Sequence, residues 1–356
     1  MKKFGFLRAI AATLALAYLT GCGGDKRTLY IYTWSDYISP DVIAEFEALH
    51  NCKIDITTFD SNEAMYAKLK SGAEGYDVIM PTSYLVPLMA KEGLIKELDH
   101  STIPNVRKNF DPSFASQILD PSFKYSVPYA ITYTGFMYAK KAIPEGADVN
   151  SWEILANPAF KGKLTLLDDI REVIGAGLMA CGYSINSRSQ AEIDAAVAKV
   201  LVWKENARKF DAESYKTEVA SGATLLGQAY STDATQIIIG EDEDSARSDI
   251  GFALPKEGYT IAVDEMVVSS KSQNTDLAYA FINFMYEGER AKDNMDYIMG
   301  PMPVKPGIDA LDEDYRAQIV LSPEIITKGQ RLEPIDDDPA VMDMYNKAWD
   351  RIKATK

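Results

Sequence analysis

An α/β protein of two domains is what this 356-residue sequence predicts. Three observations carry the prediction. Strand-like and helix-like segments alternate along the chain, no repeat or low-complexity linker interrupts them, and about 335 residues follow the N-terminal leader, more than one hydrophobic core normally holds.

Residues 29–34 read as a strand. Ser39-Pro40-Asp41 then supplies an N-cap, a first-turn proline and an acidic residue to open an amphipathic helix over 42–49. Residues 53–59 form a second strand, 62–71 a second helix and 76–80 a third, buried strand. Helical patterns follow at 84–92, 151–155, 173–180, 191–206, 215–221, 275–286 and 339–354, with strands at 135–138, 163–166 and 266–269 between them.

The first residues are a leader rather than fold. Lys2, Lys3 and Arg8 precede an apolar run over 9–19, which ends in Leu19-Thr20-Gly21-Cys22. The run is shorter than the ~20 apolar residues that span a bilayer, so an export signal is the better reading. Cys22 directly after Leu-Thr-Gly matches the bacterial lipoprotein signal, with 1–21 as signal peptide and Cys22 as the lipidated residue. The alternative is an ordinary secretory signal with an incidental cysteine. Several acyl chains on Cys22 hold a protein stably at a membrane.

The formal charge is −15, and loss of the three leader cations takes the remainder to −18. Nucleic acid is excluded as a partner, since phosphate binding needs clustered cations. An acidic surface raises the local concentration of cationic ligands instead. Cys52 and Cys181 predict no disulfide framework, with a bridge between the two left open. His50 and His100 are the only histidines and read as surface residues, so His-based metal cages and Ser-His-Asp catalysis lack material. Neither metal nor cofactor is expected.

YIYTWSDYISPDVIAEFE, FDSNEAMYAKL, YDVIMPTSYLV, WEILANPAFKGKLTLLDD with REV, and PKEG followed by VDEM occur in that order over 30–266. Together they resemble the polyamine-binding periplasmic proteins of bacterial ABC transporters. The resemblance implies a two-lobed periplasmic binding protein fold, with a ligand cleft and a hinge between lobes. Residues 27–133 plus 263–309 would form lobe one, and 134–262 plus 310–356 lobe two. It further implies a monomer that captures putrescine or spermidine in the periplasm or at the cell surface and hands it to a transporter permease.

A polyamine pocket must set carboxylates at the ammonium positions and aromatic faces along the methylenes. Trp34, Asp36 and Tyr37 sit just past the first strand, where open α/β sheets bind ligands. Thr82 and Tyr84 follow the third strand likewise. Their alternative roles are core packing for Trp34, a solvated turn for Asp36 and helix capping by the hydroxyls. Asp169 and Glu172 match the family's amine-binding carboxylates, but Asp-x-x-Glu before an apolar run is also a capping-box variant. Tyr230 matches a pocket aromatic. Asp264 matches an ammonium-clamping carboxylate, with an internal salt bridge as its alternative.

Three positions depart from the family: Ala262 stands where a second Trp is usual, Gly300 where a Tyr is, and Leu332 or Glu333 where a Gln is. Two other readings of the same acids exist. A glycosidase would make Asp169, Glu172 and Asp264 catalytic, and a polyamine sensor would dock on a membrane signalling protein.

Overall fold

The computed structural model describes residues 26–240, 246–320, 322–335 and 338–355. Residues 1–21, expected to be a signal peptide, and Cys22 lie outside the described residues. Its strands are β1 (Thr28–Thr33), β2 (Lys53–Thr58), β3 (Val78–Ile79), β4 (Val127–Ala139), β5 (Leu164–Leu166), β6 (Ala207–Phe210), β7 (Leu226–Tyr230), β8 (Ile250–Ala253), β9 (Tyr259–Val268) and β10 (Gly329–Arg331). They join in the order β2-β1-β3-β9-β4-β7-β5-β6, with β10 on β9 and β8 on β4.

Two parallel blocks, β2-β1-β3 and β7-β5-β6, thus flank the antiparallel pair β9 and β4. Helices supply the crossovers that parallel strands require, among them Pro40–His50, Asn62–Lys70, Ile170–Ala180 and Gln190–Lys204. Ser39 occupies the N-cap position before Pro40, but its hydroxyl makes no capping bond. Its N–H instead donates to Asn294 Oδ1 at 2.9 Å.

The central pair is longer than the sequence pattern suggested. The segments expected at 135–138 and 266–269 are only one end each of β4 and β9. Both strands are buried along nearly their whole length, so the period-two alternation that marks a half-exposed strand is absent. The third strand is shorter than expected because the Asp77 carboxylate replaces part of the ladder. It accepts from Tyr30 N at 3.0 Å, Asn274 N at 3.0 Å and Ser272 Oγ at 2.6 Å.

Buried hydrophobic side chains form two clusters. Ile261, Val263, Met266 and Val268 of β9 belong to one cluster, on either side of Asp264. A β-bulge between Pro128 and Ala130 of β4 lies opposite. Bulges of this kind re-aim side chains near functional sites. Cys52 and Cys181 are both free thiols, and His50 and His100 are half-buried rather than on the surface, His50 stacking on Phe46.

Glu265, adjacent to Asp264, is 3 % exposed and accepts from Ser126 Oγ. Burial pushes its carboxyl up to about 8. A carboxyl raised on folding holds its proton more tightly folded than unfolded, so the stability it contributes at low pH is lost as pH climbs through that value. Glu265→Gln keeps the acceptor for Ser126 and removes the titration. It is expected to stabilise the protein by on the order of 3 kcal/mol more at about pH 9 than at about pH 5.5, read by urea unfolding at both pH values.

Candidate functional site

Trp34, Asp36 and Tyr37 follow the carboxyl end of β1, and Thr82 and Tyr84 that of β3. Asp169 follows β5, and Tyr230 closes β7. Chain turns at these strand ends bring the side chains to one crevice, the place where parallel sheets take ligands. Glu172 enters from the first turn of the helix Ile170–Ala180, and Asp264 from the interior of β9. All of these residues line a single cavity of about 160 Å³.

One acidic pole is Asp264. Its oxygens accept from Thr82 Oγ1 at 2.6 Å and from the Tyr37 hydroxyl at 2.5 Å. No cation among the described residues pairs with it, so the internal salt bridge considered as its alternative is not formed. Burial, with a smaller contribution from the charge of Asp169, pushes its carboxyl up to about 6. The Thr82 hydroxyl also accepts from Asn62 Nδ2 at 2.9 Å, and it caps no helix. Supporting the acid, not helix capping, is its structural role.

Asp169 and Glu172 form the second pole. Asp169 Oδ1 caps its helix, accepting from Arg171 N at 2.8 Å and Glu172 N at 3.0 Å, while Oδ2 faces the Tyr230 hydroxyl at 3.4 Å. One carboxylate thus serves the helix and the cavity at once. Glu172 does not complete a capping box. It is 3 % exposed, and its Oε2 accepts from Thr260 Oγ1 at 2.7 Å. Burial and the neighbouring Asp169 push Glu172 up to about 8, and burial raises Asp169 as well. Asp168 points elsewhere, to an exposed pair with Lys353 at 2.7 Å.

Aromatic side chains line the same cavity. Trp34 packs against Phe59 with ring centroids 4.4 Å apart, and its buried indole N–H has no hydrogen-bond partner. The Tyr84 hydroxyl donates to Glu63 Oε1 at 3.1 Å, and burial together with Asp169 lifts Glu63 to about 7.

Sequence reasoning missed the two cations of the cavity wall. The Arg171 guanidinium lies over the Tyr84 ring at 4.9 Å and donates to Asn186 Oδ1 and the Glu333 carbonyl. Lys216 Nζ sits 3.1 Å from Asp233 Oδ1 and 3.9 Å from Asp36 Oδ2. No local motif marks either as a cavity residue. The departures also take physical form. A Cβ at Gly300 would come within 2.4 Å of Thr232 Cγ2, and Thr232 lines the cavity, so this chain fills with a threonine the space a larger residue at 300 would need. Beside Ala262 the wall is aliphatic: β10 runs parallel to β9 with Arg331 opposite Ile261, which sets Leu332 next to Ala262, and both line the cavity.

Residues 41–320 match the family model described as bacterial extracellular solute-binding protein. The chain is 32% identical over 350 residues to the putrescine/cadaverine-binding protein of Pseudomonas aeruginosa, covering 97% of this chain and 98% of that one. It is 31% identical to the spermidine/putrescine-binding periplasmic protein of Escherichia coli, covering 99% of each. The structure of the Tp0655 (TpPotD) lipoprotein of Treponema pallidum superposes with a TM-score of 0.80 at 30% identity, covering 91% of this chain and 99% of that one.

Proposed function

The chain belongs to the bacterial extracellular solute-binding proteins, and from that premise we propose that it captures a small polyamine and delivers it to an ABC transporter permease. It is a binding protein of this family and not an enzyme, which removes the glycosidase reading. Nothing in its relatives favours the sensor reading.

One observation carries the ligand class: buried carboxylates at two poles of one cavity are met by hydroxyls and backbone N–H groups rather than by cations. Buried charge without a counter-ion is costly, so the free protein holds these acids partly protonated and ready for an ammonium. Trp34, Tyr37, Tyr84 and Tyr230 give a methylene chain its apolar wall and ammonium groups their cation-π faces. Thr82 orients Asp264, and Asp36 lines the cavity with Lys216 3.9 Å away.

The two lobes, 27–133 plus 263–309 and 134–262 plus 310–356, close around the ligand by bending where β4 and β9 pass between them. Both strands continue through the boundaries at 133 and 262, which makes them the natural hinge. The mature protein works as a monomer, held outside the cytoplasm by lipid on Cys22. The Treponema pallidum relative is itself described as a lipoprotein.

Titration with putrescine, cadaverine, spermidine and spermine tests the proposal, read by calorimetry and by tryptophan fluorescence in parallel. Trp34 lines the cavity, so ligand is expected to change the emission of wild type, and Trp34→Phe to lose most of that change. Absence of heat and of any fluorescence change with all four polyamines would refute the ligand class.

A further inference from the structure

Resting on the polyamine reading, we infer that Lys216 sets the charge length of the ligand: its ammonium fills a third acidic pole of the cavity and so selects diamines over triamines. The cavity carries acids in three groups. Asp264 stands at one pole and Asp169 with Glu172 at the second, and among the described residues no lysine or arginine ion pair reaches any of the three.

The third group differs. Asp36, Glu213 and Asp233 line the same cavity; Lys216 lies 3.9 Å from Asp36 Oδ2 and 3.1 Å from Asp233 Oδ1, and its charge also acts on Glu213, whose carboxyl burial raises. Gln236 Oε1 accepts from the same ammonium at 3.1 Å. The other oxygen of Asp233 accepts from the Tyr215 hydroxyl at 2.6 Å, and Tyr215 is fully buried. The acid nearest Lys216 is therefore satisfied on both oxygens by the protein itself.

Arg171 does not play the same part at the second pole. Its guanidinium N–H groups donate to a carbonyl and a side-chain amide, not to Asp169 or Glu172, and its charge favours the ionised form of both acids by less than burial opposes it. A diamine meets two poles in need of a cation. A triamine brings a third ammonium toward a group of acids part of whose charge Lys216 already offsets, and the two ammonium groups repel at close range. The selectivity is negative: the lysine removes a counter-charge and adds a repulsion, without touching the diamine's own poles.

The test is the ratio of spermidine to putrescine dissociation constants, measured by calorimetry at one ionic strength on the full mature chain. Wild type is expected to favour putrescine by about tenfold or more. Lys216→Met keeps the aliphatic stem and deletes the charge, and is expected to shift the ratio toward spermidine by about tenfold or more. Lys216→Arg keeps a cation and should hold the wild-type preference. Lys216→Gln retains a donor for Asp233 and provides a second neutral variant should the methionine fail to fold. A wild type that prefers spermidine, or a neutral variant with an unchanged ratio, overturns the role of Lys216 while leaving polyamine binding standing. A wild type that binds neither amine overturns the polyamine reading itself, before any variant is compared.

Discussion

Replacing Asp264 by asparagine is expected to weaken putrescine binding by about 30-fold to several thousand-fold, the ~2 to 5 kcal/mol lost when one partner of a buried charged pair is removed. The same substitution should leave the free protein as stable as wild type or more so. Asp264 is 7 % exposed, and burial already disfavours its charge enough to lift the carboxyl to about 6. An amide at this position avoids that cost, keeps an acceptor for one of the Thr82 and Tyr37 hydroxyls and offers a donor to the other. Affinity and stability therefore move in opposite directions, as expected of an acid held in place for its ligand. Calorimetric titration combined with thermal unfolding near pH 8 decides the matter. Unchanged affinity would remove Asp264 from the ligand's contacts, and a large loss of stability would make it a structural acid.

Affinity for putrescine is also expected to fall by on the order of 100-fold or more between about pH 8 and about pH 5.5. The sign follows from the direction of the shifts. Burial lifts Glu172 to about 8 and Asp264 to about 6 in the free protein, so both hold protons there at pH values where ordinary carboxylates have lost them. A bound ammonium favours the charged form and lowers both. Binding must then expel protons, and it weakens as pH drops through first the higher and then the lower value. Above about pH 9 to 10 affinity should decline again as the ligand amines lose their own protons. Calorimetry in buffers of different ionisation enthalpy counts the protons released. A flat affinity across the acidic range with no proton release would mean that neither carboxylate meets an ammonium.

The site was partly legible because much of it follows strand ends. Trp34, Tyr37, Tyr84 and Asp169 come within a few residues of the last position of a strand that the residue pattern marks, and the helix after Asp169 is announced by its cap. Lys216 was not legible. It sits in the first turn of the short helix Tyr215–Ser221, with nothing in its neighbourhood to distinguish a cavity cation from a solvated one. Nor could the residue pattern reveal that Asp169 caps a helix with one oxygen and faces Tyr230 with the other, because a capping motif and a ligand site use the same side chain.

The sequence by itself determined the class of the fold, the alternation of its elements, the acidic and aromatic character of the site and the chain turns on which most of its residues stand. These depend on propensities and turn chemistry within a few residues. Only the tertiary structure decided which acids are neutralised internally and which are left for a ligand. Tyr37 and Asp264 are 227 residues apart, Thr82 and Asp264 are 182 apart, and Lys216 reaches Asp36 from the far block of strands. Such pairs exist because β9 returns between β3 and β4, and because a bulge in β4 lies opposite Asp264. Strand order and register are set by packing over the whole sheet, and no local segment of the chain encodes them.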